Sequence, residues 1–208
     1  PPKDLKLKEA LLKLDPMVIE NISGQVLRAD MARILKSRGD QPPKVLRDKK
    51  NHVWVRFHAK KDSEGLFLAY VQKLFGFALP VQVSSVMTIE DVGVYDWFML
   101  KTRHSPKQIE KWLSLPPTKT IEPPKVRFDS IELISEDEQS WILSFRGRDQ
   151  KGLLLSAASK LFELDLSIRW ASVHTWGQQV DDVFCVGKGD DISRVINTLR
   201  QFLTIEKL

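Results

Sequence analysis

Apolar residues recur at helical spacing in two separate stretches of the chain. They occupy positions i, i+3, i+4, i+7 and i+8 within residues 67–75 and again within residues 154–162. Such a stripe predicts an amphipathic helix that buries one face. Its members are Phe67, Tyr70, Val71, Leu74 and Phe75 in the first stretch and Leu154, Ala157, Ala158, Leu161 and Phe162 in the second.

Short runs of branched and aromatic residues flank the second of these helices. Residues 140–145 precede it, and residues 166–173 and 180–186 follow it with a turn-forming segment between them. This pattern predicts one strand before the helix and a β-hairpin after it. Around the first helix, the hairpin corresponds to residues 81–86 and 94–100.

A second helix and a last strand are predicted at the end of each unit. Ser105, which precedes a proline, is suited to cap a helix over residues 107–115, and Asp190 or Asp191 is suited to cap one whose stripe begins at Ile192. Residues 125–128 and 204–206 predict the last strands. The order strand, helix, strand, strand, helix, strand is typical of the α+β ferredoxin-like βαββαβ unit.

The two units are related by an internal repeat. Shifting the chain by 87 positions superposes identical residues from each unit, and after the hairpin turn the offset becomes 86, which places Asp96 on Asp182. The identities at offset 87 are Trp54 with Trp141, Asp62 with Asp149, Gly65 with Gly152, Leu66 with Leu153, Lys73 with Lys160, Leu74 with Leu161, Phe75 with Phe162, Leu79 with Leu166, Ser85 with Ser172, Val86 with Val173 and Thr88 with Thr175. A duplicated unit predicts two similar domains.

These elements divide the chain into three parts. Residues 1–44 form a helical lead-in, with helix-like spacing over 5–14 and 17–36 and an end at 39–43. Residues 45–128 are the first domain, including a proline-rich linker at 115–124 that cannot be helical, and residues 131–208 are the second. We expect the two sheets to pair with each other or across a homodimer, with a ligand site at the domain junction.

Charge is concentrated in the lead-in. Residues 1–50 hold 12 Lys and Arg against 7 Asp and Glu, which leaves 20 against 20 in the remainder of a chain with net charge +5. A solvated helix surface explains this excess better than a nucleic-acid site. The absence of a long apolar run argues against a membrane span, and one cysteine with no secretory leader predicts a cytoplasmic protein. The start at Pro1 without a methionine is compatible with an excerpt of a longer protein.

No residue pattern in the chain predicts catalysis, a metal site or a cofactor. The four histidines are scattered, and Asp181 and Asp182 are neighbours on a predicted strand, so that their side chains point to opposite faces. The Gly-Lys-Gly sequence at 187–189 lacks the remaining residues of a phosphate loop. Cys185 lies in an apolar strand, where a small core residue is expected.

The second unit resembles a known family at residues 149–154 (Asp-Gln-Lys-Gly-Leu-Leu), 166–168 (Leu-Ser-Ile) and 175–184 (Thr-Trp-Gly-Gln-Gln-Val-Asp-Asp-Val-Phe). These segments are similar to the C-terminal ACT domain of bacterial protein-PII uridylyltransferases, also called uridylyl-removing enzymes. The first unit resembles the preceding ACT domain through residues 62–67 and 96–98. The resemblance covers about three quarters of the chain.

The resemblance implies a regulatory role. In that family the tandem ACT domains sense glutamine, and the nucleotidyltransferase activity toward the PII protein belongs to other parts of a longer enzyme. This chain is therefore expected to be a non-catalytic, amino-acid-sensing module of nitrogen metabolism, which would meet the PII protein only as part of such a parent.

The expected ligand site is the loop that leads into the first helix of each unit, because unpaired N–H groups at a helix start can hold a carboxylate. The candidate ligand-binding residues are Asp149, Gln150, Gly152 and Leu153 in the second unit and Asp62, Gly65 and Leu66 in the first. Asp149 is suited either to bind an amino group or to cap the helix.

Two other functions stay open. The family's loop reads Asp-Arg-Pro-Gly, whereas this chain has Gln150 and Lys151 in one copy and Ser63 and Glu64 in the other. A pair of domains that serves only in protein assembly is therefore one alternative. RNA binding is the other, since ferredoxin-like sheets can stack bases on aromatic residues; the candidates are Trp54, Phe57, Trp97, Trp170 and Trp176.

Overall fold

A computed structural model describes residues 3–116, 121–189 and 191–203. The elements are, in chain order, α1 (Lys3–Leu12), α2 (Pro16–Asn21), α3 (Gly24–Lys36), β1 (Gln41–Arg47), β2 (Val53–Ala59), α4 (Leu66–Gly76), β3 (Val81–Val86), β4 (Thr88–Ile89), β5 (Gly93–Leu100), α5 (Pro106–Leu113), β6 (Ser130–Glu136), β7 (Ser140–Arg148), α6 (Leu153–Glu163), β8 (Ile168–Trp176), β9 (Gln179–Gly187) and α7 (Ile192–Leu203).

The strands form one antiparallel sheet in the order β1-β2-β5-β3-β8-β9-β7-β6, with β4 beside β5. Helices α4, α5, α6 and α7 bury their apolar sides on one face of this sheet, which we call the inner face, in a single hydrophobic core. Each half therefore has four principal strands covered by two helices. This architecture confirms the predicted α+β class with tandem ferredoxin-like domains.

Helix caps follow the sequence prediction where the structure describes them. The Ser105 hydroxyl accepts from the Gln108 N–H at 3.3 Å at the start of α5. The Asp191 carboxylate accepts from the Ser193 N–H at 2.8 Å at the start of α7. A side-chain oxygen at these positions satisfies an N–H group that has no partner within the helix.

The edge strand of each half comes from an unexpected part of the chain. The edges are formed by β1 and β6, which precede the other strands of their halves, so that the order of elements is ββαββα. The prediction of a strand at 125–128 is wrong: Phe128 makes only an isolated bridge, and its N–H donates to the Leu203 carbonyl at 2.6 Å. The predicted strand at 204–206 lies outside the described residues.

A short connection explains why β1 occupies the edge of the first half. The turn between β1 and β2 is closed by the Asp48 carboxylate, which accepts from the Lys50 and His52 N–H groups at 2.8 and 2.9 Å. Closing such a hairpin requires much less loop than the crossover from α5 would. Because β1 begins at Gln41, the strand spans the boundary that the sequence placed between residues 44 and 45.

The two halves meet at the centre of the sheet, where β3 pairs with β8. Ser85 pairs with Ser172, and the pairs on either side are Ser84 with Val173 and Val86 with Ala171. The two serines are one repeat length apart (172 − 85 = 87), and the flanking pairs exchange equivalent positions. A pseudo-twofold axis therefore passes between Ser85 and Ser172, and the sheets pair within one chain, which is one of the two arrangements expected.

The repeat offset changes by one residue in β2 and β7, the strands that lead into α4 and α6. Val55 pairs with Phe98, and Leu143 pairs with Phe184. The offset is thus 88 on one strand (143 − 55) and 86 on the other (184 − 98). The superposition of Trp54 on Trp141 is therefore wrong, since Trp141 belongs to the inner core and Trp54 to the core on the opposite face.

The lead-in covers the outer face of the first half. Three helices pack there instead of the two predicted, because the segment expected to be one helix over 17–36 breaks at Ile22, which is extended. The resulting second core contains Ala10, Leu14, Val18, Ile22, Leu27, Met31, Ile34, Trp54, Ile89, Val92, Tyr95 and Trp97. The equivalent face of the second half carries the exposed rings of Trp170 and Trp176.

A buried ion pair fixes the lead-in to the sheet. The Asp30 carboxylate of α3 accepts from Arg56 of β2 at 2.9 and 3.2 Å and from the Tyr95 hydroxyl at 3.1 Å. Burial alone would raise the pKa of Asp30, but the hydrogen bonds and charges of Arg56 and Lys44 outweigh it and hold the pKa below its usual value. Asp30 is therefore ionised, and its charge neutralises the buried guanidinium of Arg56.

Candidate functional site

Two cavities lie at the junction of the halves and are related by the pseudo-twofold axis. The Asp96 pocket has a volume of about 490 Å³, and the Asp182 pocket about 470 Å³. The Asp96 pocket combines the loop at 62–65 and the start of α4 with the chain at 165–168 of the other half. The Asp182 pocket combines the loop at 149–152 and the start of α6 with the chain at 78–81. Cavities of this size suit small organic ligands.

Each pocket has a glycine in its wall, at the start of a helix. Gly65 and Gly152 both have positive φ, +74° and +93°, and are the N-cap residues of α4 and α6. An added Cβ would lie 2.9 Å from the Phe162 ring at Gly65 and 3.0 Å from the Phe75 ring at Gly152. The loops therefore need glycine both for backbone geometry and for the close approach of the opposite half.

A buried carboxyl group lines each pocket. Asp96 on β5 and Asp182 on β9 are each 1% exposed. Oδ2 of Asp96 and Oδ1 of Asp182 have no hydrogen-bond partner among the described residues. The other oxygen of Asp96 accepts from the Met87 N–H at 3.1 Å. A buried carboxyl oxygen without a partner is a candidate to hydrogen-bond with a polar group of a ligand.

Burial controls the ionisation of both groups. It holds the pKa of Asp96 well above its usual value, and the negative charge of Asp62 adds to this effect, whereas the Met87 hydrogen bond opposes it. Burial raises the pKa of Asp182 to about 8, with a hydrogen bond from the His174 backbone opposing and the charges of Asp181 and Asp149 adding. Burial therefore favours the neutral form of both carboxyl groups.

All the residues singled out from the sequence line one pocket or the other. Asp62, Gly65 and Leu66 line the Asp96 pocket. Asp149, Gln150, Gly152 and Leu153 line the Asp182 pocket. The structure thus assembles each predicted loop into a cavity, but it completes each cavity with residues of the other half.

Capping by Asp149 is not observed. The N-cap residue of α6 is Gly152, and no side chain caps the helix. The Asp149 N–H instead donates to the Gln178 carbonyl at 2.8 Å, which ties the loop to the β8–β9 turn. The capping role is therefore wrong, since the N-cap position lies three residues after Asp149.

The interdomain linker braces the loop of the Asp182 pocket. The Gln150 side-chain nitrogen donates to the Arg127 carbonyl at 2.9 Å, and the Ser156 hydroxyl donates to the Pro124 carbonyl at 2.8 Å. A Cβ at Gly152 would lie only 2.3 Å from the Pro124 ring. Gln150 therefore positions the loop through Arg127, just after the linker.

Sequence reasoning missed the two buried aspartates as site residues. The prediction that Asp181 and Asp182 point to opposite faces of the sheet is confirmed, because the Asp181 carboxylate faces Ser144 and Arg146 on the outer face. The available signal was the repetition of Asp96 and Asp182 at equivalent places in two otherwise apolar strands. An acid at an inward-facing strand position costs free energy unless it is hydrogen-bonded or paired with an opposite charge.

The remaining candidates for catalytic chemistry are separate from the pockets. His58 is held by the Gln41 N–H and the Val92 carbonyl, and His174 stacks on Trp176. Cys185 is buried as a free thiol. Across the described part of the chain, no group of three or more His, Cys, Asp or Glu residues is arranged to hold a metal ion. Among the same residues, no helix is both long and apolar enough to cross a membrane.

No protein-family model and no curated protein matches this sequence. Among solved structures, the chain is similar to an aspartate kinase from Synechocystis, with 17% sequence identity and a TM-score of 0.48. That match covers 72% of this chain and 26% of the kinase chain, so the present chain spans about a quarter of that protein's length.

Proposed function

We propose that this chain is a tandem regulatory module of the ACT type that binds a free α-amino acid in the Asp182 pocket. The observation that carries the proposal is the Asp182 carboxyl group, which is 1% exposed and has an unpartnered oxygen beside a largely apolar cavity. A ligand ammonium group would donate the missing hydrogen bond, and its positive charge would favour the ionised form of this carboxyl group.

The same pocket offers partners for a ligand carboxylate. Lys101 and Lys151 line it, and Lys151 stands over the Phe75 ring at 5.5 Å. The start of α6 adds backbone N–H groups and the positive end of the helix dipole. A zwitterion would therefore find an acid for its ammonium group and cations for its carboxylate in one cavity.

Both halves of the protein contribute to this pocket, which supports a regulatory role. Asp182 and the loop at 149–152 belong to the second half, whereas Leu79, Pro80 and Lys101 belong to the first. A ligand that bridges two halves favours the arrangement in which they are docked over any more open one. Its binding energy would thereby be converted into a change of interdomain geometry.

Glutamine is the first amino acid to test, because the sequence resembles the glutamine-sensing ACT pair of protein-PII uridylyltransferases. In this proposal the nucleotidyltransferase activity and the contact with the PII protein belong to a longer parent, and the chain itself has no catalytic part. The side chain of the ligand would lie against Val71, Leu74 and Phe75 of α4, which line the same pocket.

The test is isothermal titration calorimetry of the chain with L-glutamine, other amino acids and a short single-stranded RNA. We expect saturable binding of one amino acid that Asp182→Asn weakens at least about tenfold, the loss of roughly one charged hydrogen bond. Asp181→Asn is the matched control, because this neighbour faces the opposite side of the sheet. Absence of amino-acid binding at millimolar concentration would favour the assembly module, and binding of RNA alone would favour a nucleic-acid module.

A further inference from the structure

We infer that the Asp96 pocket is a second ligand site of different specificity, which takes an alkyl amine or diamine without a carboxylate group. This inference does not rest on amino-acid binding by the Asp182 pocket, because each cavity has its own loop, helix start and buried acid. It rests on the way the two copies have diverged in charge.

The charged residues that line the two pockets differ in sign. The Asp96 pocket is lined by four acids, Asp62, Glu64, Asp96 and Asp165, and by no Lys, Arg or His among the described residues. The Asp182 pocket is lined by two acids and two lysines, Asp149, Asp182, Lys101 and Lys151. The first cavity is therefore suited to a cation, and the second to a zwitterion.

Two substitutions between the copies produce much of this difference. Glu64 stands where the other copy has Lys151, and Asp165 stands where the other copy has Ala78, both at the repeat offset of 87. Asp165 and Ala78 share the left-handed backbone conformation, with φ of 54° and 52°. The backbone is thus preserved while the charge of the lining is altered.

The buried carboxyl group of Asp96 distinguishes this pocket from an acidic patch on the surface. Asp96 is 1% exposed, and its Oδ2 atom has no partner among the described residues. The surrounding wall of the cavity includes Phe67, Val86, Val94 and Phe162. An ammonium group on an alkyl chain matches both the acceptor and the wall.

Other ligand classes fit this cavity less well. An amino-acid carboxylate would lie among Asp62, Glu64 and Asp165 without a cation to pair with. A metal ion needs several oxygens converging on one point, and the described residues contain no such group of three or more acids. The acids are instead distributed around a cavity of about 490 Å³, which suits an extended organic cation.

The test is calorimetric titration of the full chain with 1,4-diaminobutane, with n-butylamine and magnesium chloride in parallel. We expect one diaminobutane per chain with a dissociation constant at or below the millimolar range, and no comparable signal from magnesium. Asp96→Asn should weaken binding at least about tenfold, whereas Asp182→Asn, its equivalent in the other pocket, should leave the affinity unchanged.

A charge-exchange variant keeps the test decisive if Asp96→Asn fails to fold. Glu64→Lys combined with Asp165→Ala gives the cavity the lining residues found at the same positions in the Asp182 pocket. This variant should not bind diaminobutane, and its melting temperature should equal that of the wild type. The inference is overturned if diaminobutane does not saturate the wild-type chain, or if it binds that variant as tightly as the wild type. Loss of amino-acid binding alone would overturn only the proposal for the Asp182 pocket.

Discussion

Ser85 and Ser172 pair across the junction of β3 and β8, and each occupies the same position in its copy of the repeat. The relationship makes one chain equivalent to a symmetric dimer of ferredoxin-like domains. A true homodimer must have two identical pockets, whereas a covalent duplication allows each pocket to change independently. The Asp96 and Asp182 pockets, which differ by two acids and two lysines, show that this has occurred.

The raised pKa of Asp182 predicts that the protein becomes less stable as pH rises from about 4 to 8. The native state keeps a proton in this range that the unfolded chain has released, so the free energy of unfolding falls by up to about 1.4 kcal/mol per pH unit for this group. Asp182→Asn should remove that part of the slope, leaving the part from Asp96. Urea unfolding at pH 5, 7 and 8.5 measures it, and parallel curves for variant and wild type would contradict the assignment.

Removal of the Asp30 carboxylate should strongly destabilise the packing of the lead-in on the sheet. Asp30→Ala leaves Arg56, which is fully buried, without its countercharge, and we expect a loss of about 3–5 kcal/mol in the free energy of unfolding. The stabilisation from Asp30 should be present above its unfolded pKa and lost as pH falls, because its folded pKa is lowered.

The matched control for Asp30 removes both charges. Asp30→Leu with Arg56→Met should recover most of the stability lost in Asp30→Ala, since an apolar pair needs no neutralisation. Equilibrium unfolding in urea compares the three proteins. If Asp30→Ala unfolds like the wild type, the ion pair does not anchor the lead-in.

Gly93 should tolerate substitution far less well than Gly177, although both have positive φ, 97° and 61°. A Cβ at Gly93 would lie 2.2 Å from the Ala59 carbonyl oxygen, whereas nothing lies within 4 Å of one at Gly177. Gly177→Ala should cost about 1 kcal/mol from backbone strain alone, and Gly93→Ala about 3 kcal/mol or more. Thermal melts of both variants test this, and equal losses would show that the β2–β5 approach at Gly93 relaxes freely.

The sequence predicts the local elements well because periodicity reports which face of each element is buried. The stripe from Phe67 to Phe75 and the run at 81–86 both correspond to observed elements, α4 and β3. It does not reveal which strand fills the sheet edge, since β1 and the segment at 125–128 are both short and partly apolar. That choice depends on loop closure between β1 and β2, which is a property of chain connectivity.

The site was only half predictable for a similar reason. The loops at Gly65 and Gly152 are recognisable from the local sequence. Each pocket is completed, however, by the segment that follows the helix of the other half, and Asp165 is one such residue in the Asp96 pocket. Contacts across the pseudo-twofold axis have no local spacing from which they could be found. The sequence contains Asp182, but only the pairing of β9 shows that this residue lies on the inner face of the sheet, where it lines the cavity.

Binding of an amine in the Asp96 pocket should release a proton from the protein. Burial raises the pKa of Asp96 and so favours its neutral form, and the negative charge of Asp62 adds to this effect. Glu64 and Asp165 are the other acids that line the cavity. An ammonium group reverses this preference by pairing with the ionised carboxylate. The affinity for 1,4-diaminobutane should therefore rise with pH, by up to about tenfold per pH unit while Asp96 is protonated in the free protein.

Calorimetry at one pH in two buffers of different ionisation enthalpy measures the released proton directly. The apparent binding enthalpy should differ between the buffers for the wild type by close to one ionisation enthalpy. In Asp96→Asn, residual binding should show no such difference, because the group that loses the proton is gone. A buffer-independent enthalpy for the wild type would mean that the amine pairs only with the exposed acids at the rim, and it would place the ammonium group away from Asp96.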